Sequence, residues 1–162
     1  MPAPGSIVVV CTANICRSPM AEGLLAHALA AESGPLKNLS VTSAGVAARP
    51  GDLVSENSVV ALKKVGIDIA SHRARPLTQE MLDSALMVLC MTESHRTIIE
   101  LQAAPLPTRL HLFREFLPAG HREIADPYGG PIKLYEASRD EMVEAIPSLL
   151  AHLRSLLADT KK

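Results

Sequence analysis

Two residues at a fixed spacing carry the first chemical suggestion in this chain. Cys11 and Arg17 end a C-x5-R segment inside IVVVCTANICRSPMAE, Ile7 to Glu22. An apolar run stops at Cys11, a short loop follows, and Ser18-Pro19 opens a helical pattern. Successive backbone N–H groups in such a loop form a concave nest, and a helix N-terminus adds about half a positive charge. The fork of Arg17 can grip two oxygens of one anion. Cys11, facing that field, is expected as a thiolate and hence a nucleophile. A thiolate beneath a phosphate-sized cradle attacks phosphorus in line, so the spacing points to phosphoryl transfer.

A phosphate ester leaves poorly as an alkoxide or phenoxide, so the reaction also needs an acid to protonate the leaving oxygen. The same group, once a carboxylate, can activate water against a phosphocysteine intermediate. Asp126 is the candidate, on a loop punctuated by Pro and Gly that could overhang a pocket. Asp-Pro is also a common turn opening. Asp52, Asp68 and Asp83 compete on chemistry, and spacing does not exclude them. No Cys/His cluster has zinc spacing and the six histidines are scattered, so no metal and no cofactor are expected.

These residues need a scaffold, and 162 residues suffice for one domain, 1–162, with a real core. A net charge of −1 gives no general reason to expect nucleic acid or membrane as partner. No apolar run approaches the roughly 20 residues of a membrane span, and MPAPGS lacks an export pattern. Three cysteines, an odd number, read as reduced thiols in a cytoplasm rather than a disulfide scaffold. Ile7–Val10, Leu39–Ser43, Leu86–Met91 and Arg109–Phe113 read as strands. Helices are expected after Ser18 as N-cap, over Ser55–Val65, over Leu77–Leu82 capped by Thr78, from Thr92 to about Leu101, and from about Leu134. Pro147 should bend or break the last of these, at about 3 kcal/mol if unrelieved. Asp159–Lys162 reads as a solvated end. Alternating strands and helices predict a doubly wound α/β fold with a parallel sheet. Ligands bind at the carboxyl ends of such strands, where Cys11 falls.

VCTANICRSPMAE, Ser43-Ala44-Gly45, Ser71-His72-Arg73-Ala74-Arg75 and Asp126-Pro127-Tyr128-Gly129, in that order, resemble the low-molecular-weight protein tyrosine phosphatases over nearly the whole chain. The resemblance implies a four-stranded parallel sheet flanked by helices and a metal-free mechanism through phosphocysteine. It implies Cys11 as nucleophile, Arg17 as phosphate ligand and Asp126 as general acid and base. The phosphate loop would be Thr12, Ala13, Asn14, Ile15, Cys16, Arg17 and Ser18. Asn14, Ser18, Ser43 and His72 would form a network holding that loop, with Ser18 stabilising the leaving thiolate. The partners implied are phosphorylated proteins, with inorganic phosphate as product and a monomer or weak homodimer as the working unit.

The chain departs from the family pattern in ways that bear on substrate. Ala13 stands where members commonly have Gly, and would cost roughly 1 kcal/mol if that position needs positive φ. The loop after Ser43-Ala44 has no aromatic, leaving Arg49 and Tyr128 at the pocket rim. Ile15 replaces the threonine of similar phosphoarginine phosphatases, and suits an aromatic ring better than a guanidinium. Cys16 is close enough in sequence to Cys11 for a reversible disulfide, or is a small apolar filler. Cys90, within MVLCM, reads as an inert core residue. The first alternative is a protein-arginine phosphatase of the same fold. An arsenate reductase lacks its second relay cysteine here. A non-catalytic phosphoprotein-binding module would need neither the thiolate nor the acid.

Overall fold

The computed structural model describes residues 5–159. Most of MPAPGS and the solvated tail beyond Asp159 lie outside the described residues. Four strands form one parallel sheet: β1 (Ser6–Cys11), β2 (Ser40–Gly45), β3 (Ala85–Cys90) and β4 (Leu110–Leu112), in the order β2-β1-β3-β4. Among the described residues five α-helices accompany the sheet: α1 (Arg17–Ala30), α2 (Glu56–Lys63), α3 (Gln79–Ser84), α4 (Glu93–Gln102) and α5 (Ile132–Asp159). A 3-10 turn over Gly34–Asn38, not foreseen in the sequence, bridges α1 to β2.

The unbroken apolar strands are explained by burial on both faces. Ile7, Val9, Met87 and Leu89 join α1, α2 and α5 in one core, whereas Val8, Val10, Val88 and Cys90 pack with Leu82 of α3 and Ile99 of α4 in another. The chain after β1 crosses to β2 on one side, and the chain after β3 crosses to β4 on the other. The carboxyl ends of β1 and β3 therefore frame a topological switch point, where doubly wound folds bind ligands. Among the described residues no helix is long and apolar enough to cross a membrane.

The caps at Thr78 and Thr92 occur as read, accepting from Met81 N and His95 N. One local expectation, the cap at Ser18, does not hold, and the break offered for Pro147 does not occur. Helix α1 starts at Arg17 with Cys16 in the cap position and no side-chain cap bond. Ser18 is therefore inside the first turn, and its hydroxyl is spent elsewhere. Pro19 still lies in that turn, where a backbone N–H has no intrahelical acceptor. Helix α5 runs through Pro147 unbroken. Pro147 and Val143, whose carbonyl loses its donor, are both exposed to solvent. Met142, Ile146, Leu149 and Leu153 clamp the opposite face into the core.

Candidate active site

The loop of residues 12–16 leaves β1 after Cys11 and turns under α1. Its turn depends on Asn14, the one non-glycine among the described residues with positive φ, at 59°. Ala13 has no such φ, so the strain anticipated there does not arise. An asparagine tolerates the left-handed region because its short amide can bond locally. Here the amide is also fully paired. Nδ2 donates to Ser18 Oγ at 2.7 Å and to Ser43 Oγ at 3.0 Å, and Oδ1 accepts from Arg75 N at 3.0 Å. The Asn14 carbonyl lies 2.9 Å from His72 Nε2, which must carry the proton because a carbonyl only accepts.

This network ends on the nucleophile candidate. Ser18 Oγ accepts from Asn14, which leaves its proton for Cys11 Sγ at 3.0 Å. The backbone N–H of Asn14 also points at Cys11 Sγ, at 3.3 Å. Both donors stabilise a thiolate more than a thiol. The loop is braced from β2, with Val46 N donating to Cys11 O and Ala47 N to Thr12 O. Gly45 permits that approach, since a Cβ there would stand 2.5 Å from Thr12 O.

Arg17 is 5% exposed and anchored by Nη1 donating to Ile124 O at 3.0 Å. Its Nη2 lies 3.7 Å from Asp126 Oδ2 and 3.5 Å from Thr12 Oγ1. Asp126 serves two purposes at once: Oδ1 accepts from Tyr128 N at 3.1 Å as a turn-former, while Oδ2 faces Arg17. The Asp126 side chain is half exposed, open to a leaving group and to water.

A cavity of about 310 Å³ is lined by Cys11, Thr12, Ala13, Ile15, Cys16, Arg17, Arg49, Asp52, Asp126 and Tyr128. Arg49 and Tyr128 are both exposed among these lining residues. Of the competing carboxylates, only Asp52 reaches this cavity, and it pairs with Arg49 at 3.8 Å. Asp68 accepts from Ala70 N in a separate cavity, and Asp83 accepts from Gln79 on α3. Cys11 and Cys16 are both free thiols. Burial pushes the Cys16 thiol up, and Tyr135 Oη lies 3.7 Å from its sulfur. Cys90 is fully buried on the far side of the sheet, where burial pushes its thiol up to about 12.

Sequence reading missed two members of this assembly. Glu22 accepts from Ser43 Oγ at 2.5 Å, and its position four residues after Ser18 on one helix face was the available signal. His95 is buried with Nε2 2.8 Å from Thr12 Oγ1. Its place three residues after the cap Thr92 explains how α4 fixes it.

Residues 6–159 match the family model for low molecular weight phosphotyrosine protein phosphatase. The chain belongs to that family. It is therefore a cysteine-based protein phosphatase, a hydrolase. A Bacillus subtilis protein-arginine-phosphatase is 38% identical over 91% of this chain and 96% of the relative. The crystal structure of a low molecular weight protein tyrosine phosphatase from T. tengcongensis superposes with a TM-score of 0.84 at 36% identity, over 91% of this chain and 99% of that one. A YwlE arginine phosphatase mutant with a phosphorylated active-site serine gives 0.83 at 37% identity, over 92% and 95%.

Proposed function

We propose that this phosphatase hydrolyses phosphotyrosine monoesters in proteins through a phosphocysteine intermediate. Ile15 carries the substrate reading. It lines the cavity beside Cys11, is partly buried, and offers a leaving group an apolar surface with no side-chain hydrogen bond. A phenyl ring loses nothing against such a surface, whereas a guanidinium would give up hydrogen bonds to water. Tyr128, 69% exposed at the rim, supplies an aromatic face for the same ring.

In the first step Cys11 Sγ attacks phosphorus, the S–P bond forms and the P–O bond to the tyrosine breaks. Asp126 delivers its proton to the departing phenolic oxygen. Arg17 and the loop N–H groups hold the equatorial oxygens, where charge is spread in the transition state. In the second step the Asp126 carboxylate takes a proton from water as that water attacks phosphorus. The S–P bond breaks, inorganic phosphate leaves, and the Ser18 hydroxyl stabilises the returning thiolate. The similar YwlE mutant with a phosphorylated active-site serine supports a covalent phosphoenzyme. Asn14, Ser43 and His72 keep the loop preorganised. A two-electron oxidant such as hydrogen peroxide, itself reduced to water, would join Cys11 and Cys16 in a disulfide that cellular thiols reduce, protecting the nucleophile reversibly. Free cysteines fit a reducing cytoplasm, and the working unit in this reading is a monomer or weak homodimer.

One observation favours a second reading, phosphoarginine. Asp52 gives the cavity a carboxylate besides Asp126, and a similar protein is named a protein-arginine-phosphatase. The deciding experiment compares kcat/KM for phosphotyrosine and phosphoarginine peptides side by side, with phosphoserine peptide and thioredoxin-coupled arsenate reduction as controls. Phosphotyrosine should be cleaved fastest. The reverse order sinks the tyrosine reading and leaves the phosphatase chemistry standing.

A further inference from the structure

Both recognised sets of loop contacts approach from the β2 side of the switch point, through Ser43 and His72. A third contact arrives from the opposite side, from α4, and neither the nucleophile nor the acid needs it. His95 is 3% exposed, at the third position of α4. Its Nε2 lies 2.8 Å from Thr12 Oγ1, and its Nδ1 lies 3.2 Å from Thr92 Oγ1. Thr12 Oγ1 is in turn an acceptor for Arg17 Nη2 at 3.5 Å. Each hydroxyl can donate or accept, so a neutral imidazole spanning the two is satisfied at both nitrogens, donating at one and accepting at the other.

We propose that His95 is a positioning residue for the phosphate-binding arginine, acting through Thr12. The imidazole fixes the Thr12 hydroxyl, and that hydroxyl holds the second guanidinium arm of Arg17 at the angle at which both arms face one phosphoryl group. Arg17 Nη1 donates to Ile124 O and Nη2 faces Asp126 Oδ2 at 3.7 Å, so Thr12 Oγ1 gives the guanidinium a third fixed point, on the α4 side. Thr12 itself is exposed and would choose among its rotamers without a partner. The neutral state matters for the same reason. A second positive charge behind Thr12 would repel Arg17, and burial with the Arg17 charge keeps the ring from protonating near neutral pH. His95 touches neither substrate nor the reacting sulfur, so its contribution lies in geometry formed before the transition state.

The inference rests on Arg17 serving the phosphatase reaction, so the first measurement is turnover of p-nitrophenyl phosphate by the unmodified protein. No turnover there defeats the functional reading itself, before any variant is compared. With turnover established, His95→Leu should lower kcat about 10- to 100-fold, the range that small misplacements of catalytic groups produce. KM should change less than kcat. His95→Gln, whose amide reaches the Nε2 position, should restore most of the rate, and His95→Asn, which reaches only the Thr92 side, should not. Thr12→Val, at an exposed site, should reproduce the loss in a folded protein even if His95→Leu folds poorly. The double variant His95→Gln with Thr12→Val should be no faster than Thr12→Val alone. Full activity in folded Thr12→Val overturns the proposal. So does rescue by Gln that persists in the double variant, because a merely structural imidazole would behave that way.

Discussion

Ser43 Oγ stands 3.0 Å from Asn14 Nδ2, and this contact ties β2 to the left-handed residue of the loop after Cys11. The hydroxyl then donates to Glu22 Oε1 on α1, so strand, loop and helix meet at one oxygen. Ser43→Ala would strip a partner from Asn14 Nδ2 and from Glu22. Leaving a buried donor unpaired costs about 1–3 kcal/mol. We expect a loss of that size in urea denaturation, with kcat falling as the loop loosens. A variant as stable and as active as the parent would remove Ser43 from the supporting network.

Cys11→Ser should abolish hydrolysis of p-nitrophenyl phosphate. The Asn14 N–H, Arg17 and the loop remain, so inorganic phosphate should still bind in calorimetry. Normal turnover by this variant contradicts nucleophilic catalysis by Cys11.

Asp126→Ala removes the carboxylate 3.7 Å from Arg17 Nη2. Turnover of phenyl phosphate, whose leaving group needs a proton, should fall roughly 10²–10⁴-fold. Turnover of p-nitrophenyl phosphate, whose leaving group departs unaided, should fall less. Equal losses for the two esters would point to another acid, with Asp52 next in line because it shares the cavity.

Stability should depend on pH through His95. Burial, then the Arg17 charge, push its imidazole from the ordinary 6.5 down to about 4, against opposing pulls from Asp126 and Glu123. The unfolded chain therefore binds a proton between about pH 6.5 and 4 that the folded chain refuses. The stabilisation is complete above pH 6.5 and is lost as pH falls toward 4, by at most about 3 kcal/mol. His152, also held low by burial and His111, adds a smaller slope of the same sign. Denaturant titrations at pH 7, 5.5 and 4.5 should show this decline, and His95→Gln should flatten it. An unchanged slope in His95→Gln would assign the acid sensitivity to other groups.

Contiguous residues were enough to specify part of this site. The strand, loop and helix of Ile7–Glu22 follow from a β-branched run, an asparagine suited to a left-handed turn and a proline in the first helical turn. These are interactions among near neighbours, which spacing alone expresses. Cys11 and Arg17, the proposed nucleophile and phosphate ligand, fall within that one segment, so they could be read together. The caps Thr78 and Thr92 were legible for the same reason.

What only the folded chain decided are the meetings across long separations. Asp52, Asp68, Asp83 and Asp126 carry the same chemistry, and only the folded chain brings Asp126 to Arg17 and Asp52 to the same cavity while Asp68 and Asp83 face elsewhere. Ser18 looked like a cap because a cap and a buried network hydroxyl have the same local sequence; its proximity to Cys11 and Asn14 assigns it to the network. Glu22 lies four residues after Ser18 and His95 three after Thr92, but nothing along the chain says what those helix faces meet. Their roles arise from the packing of α1 and α4 on opposite sides of the β1–β3 switch point, 21 residues from Ser43 and 83 from Thr12. Hydrogen bonds of that span depend on how strands order and helices pack, and no local preference encodes them.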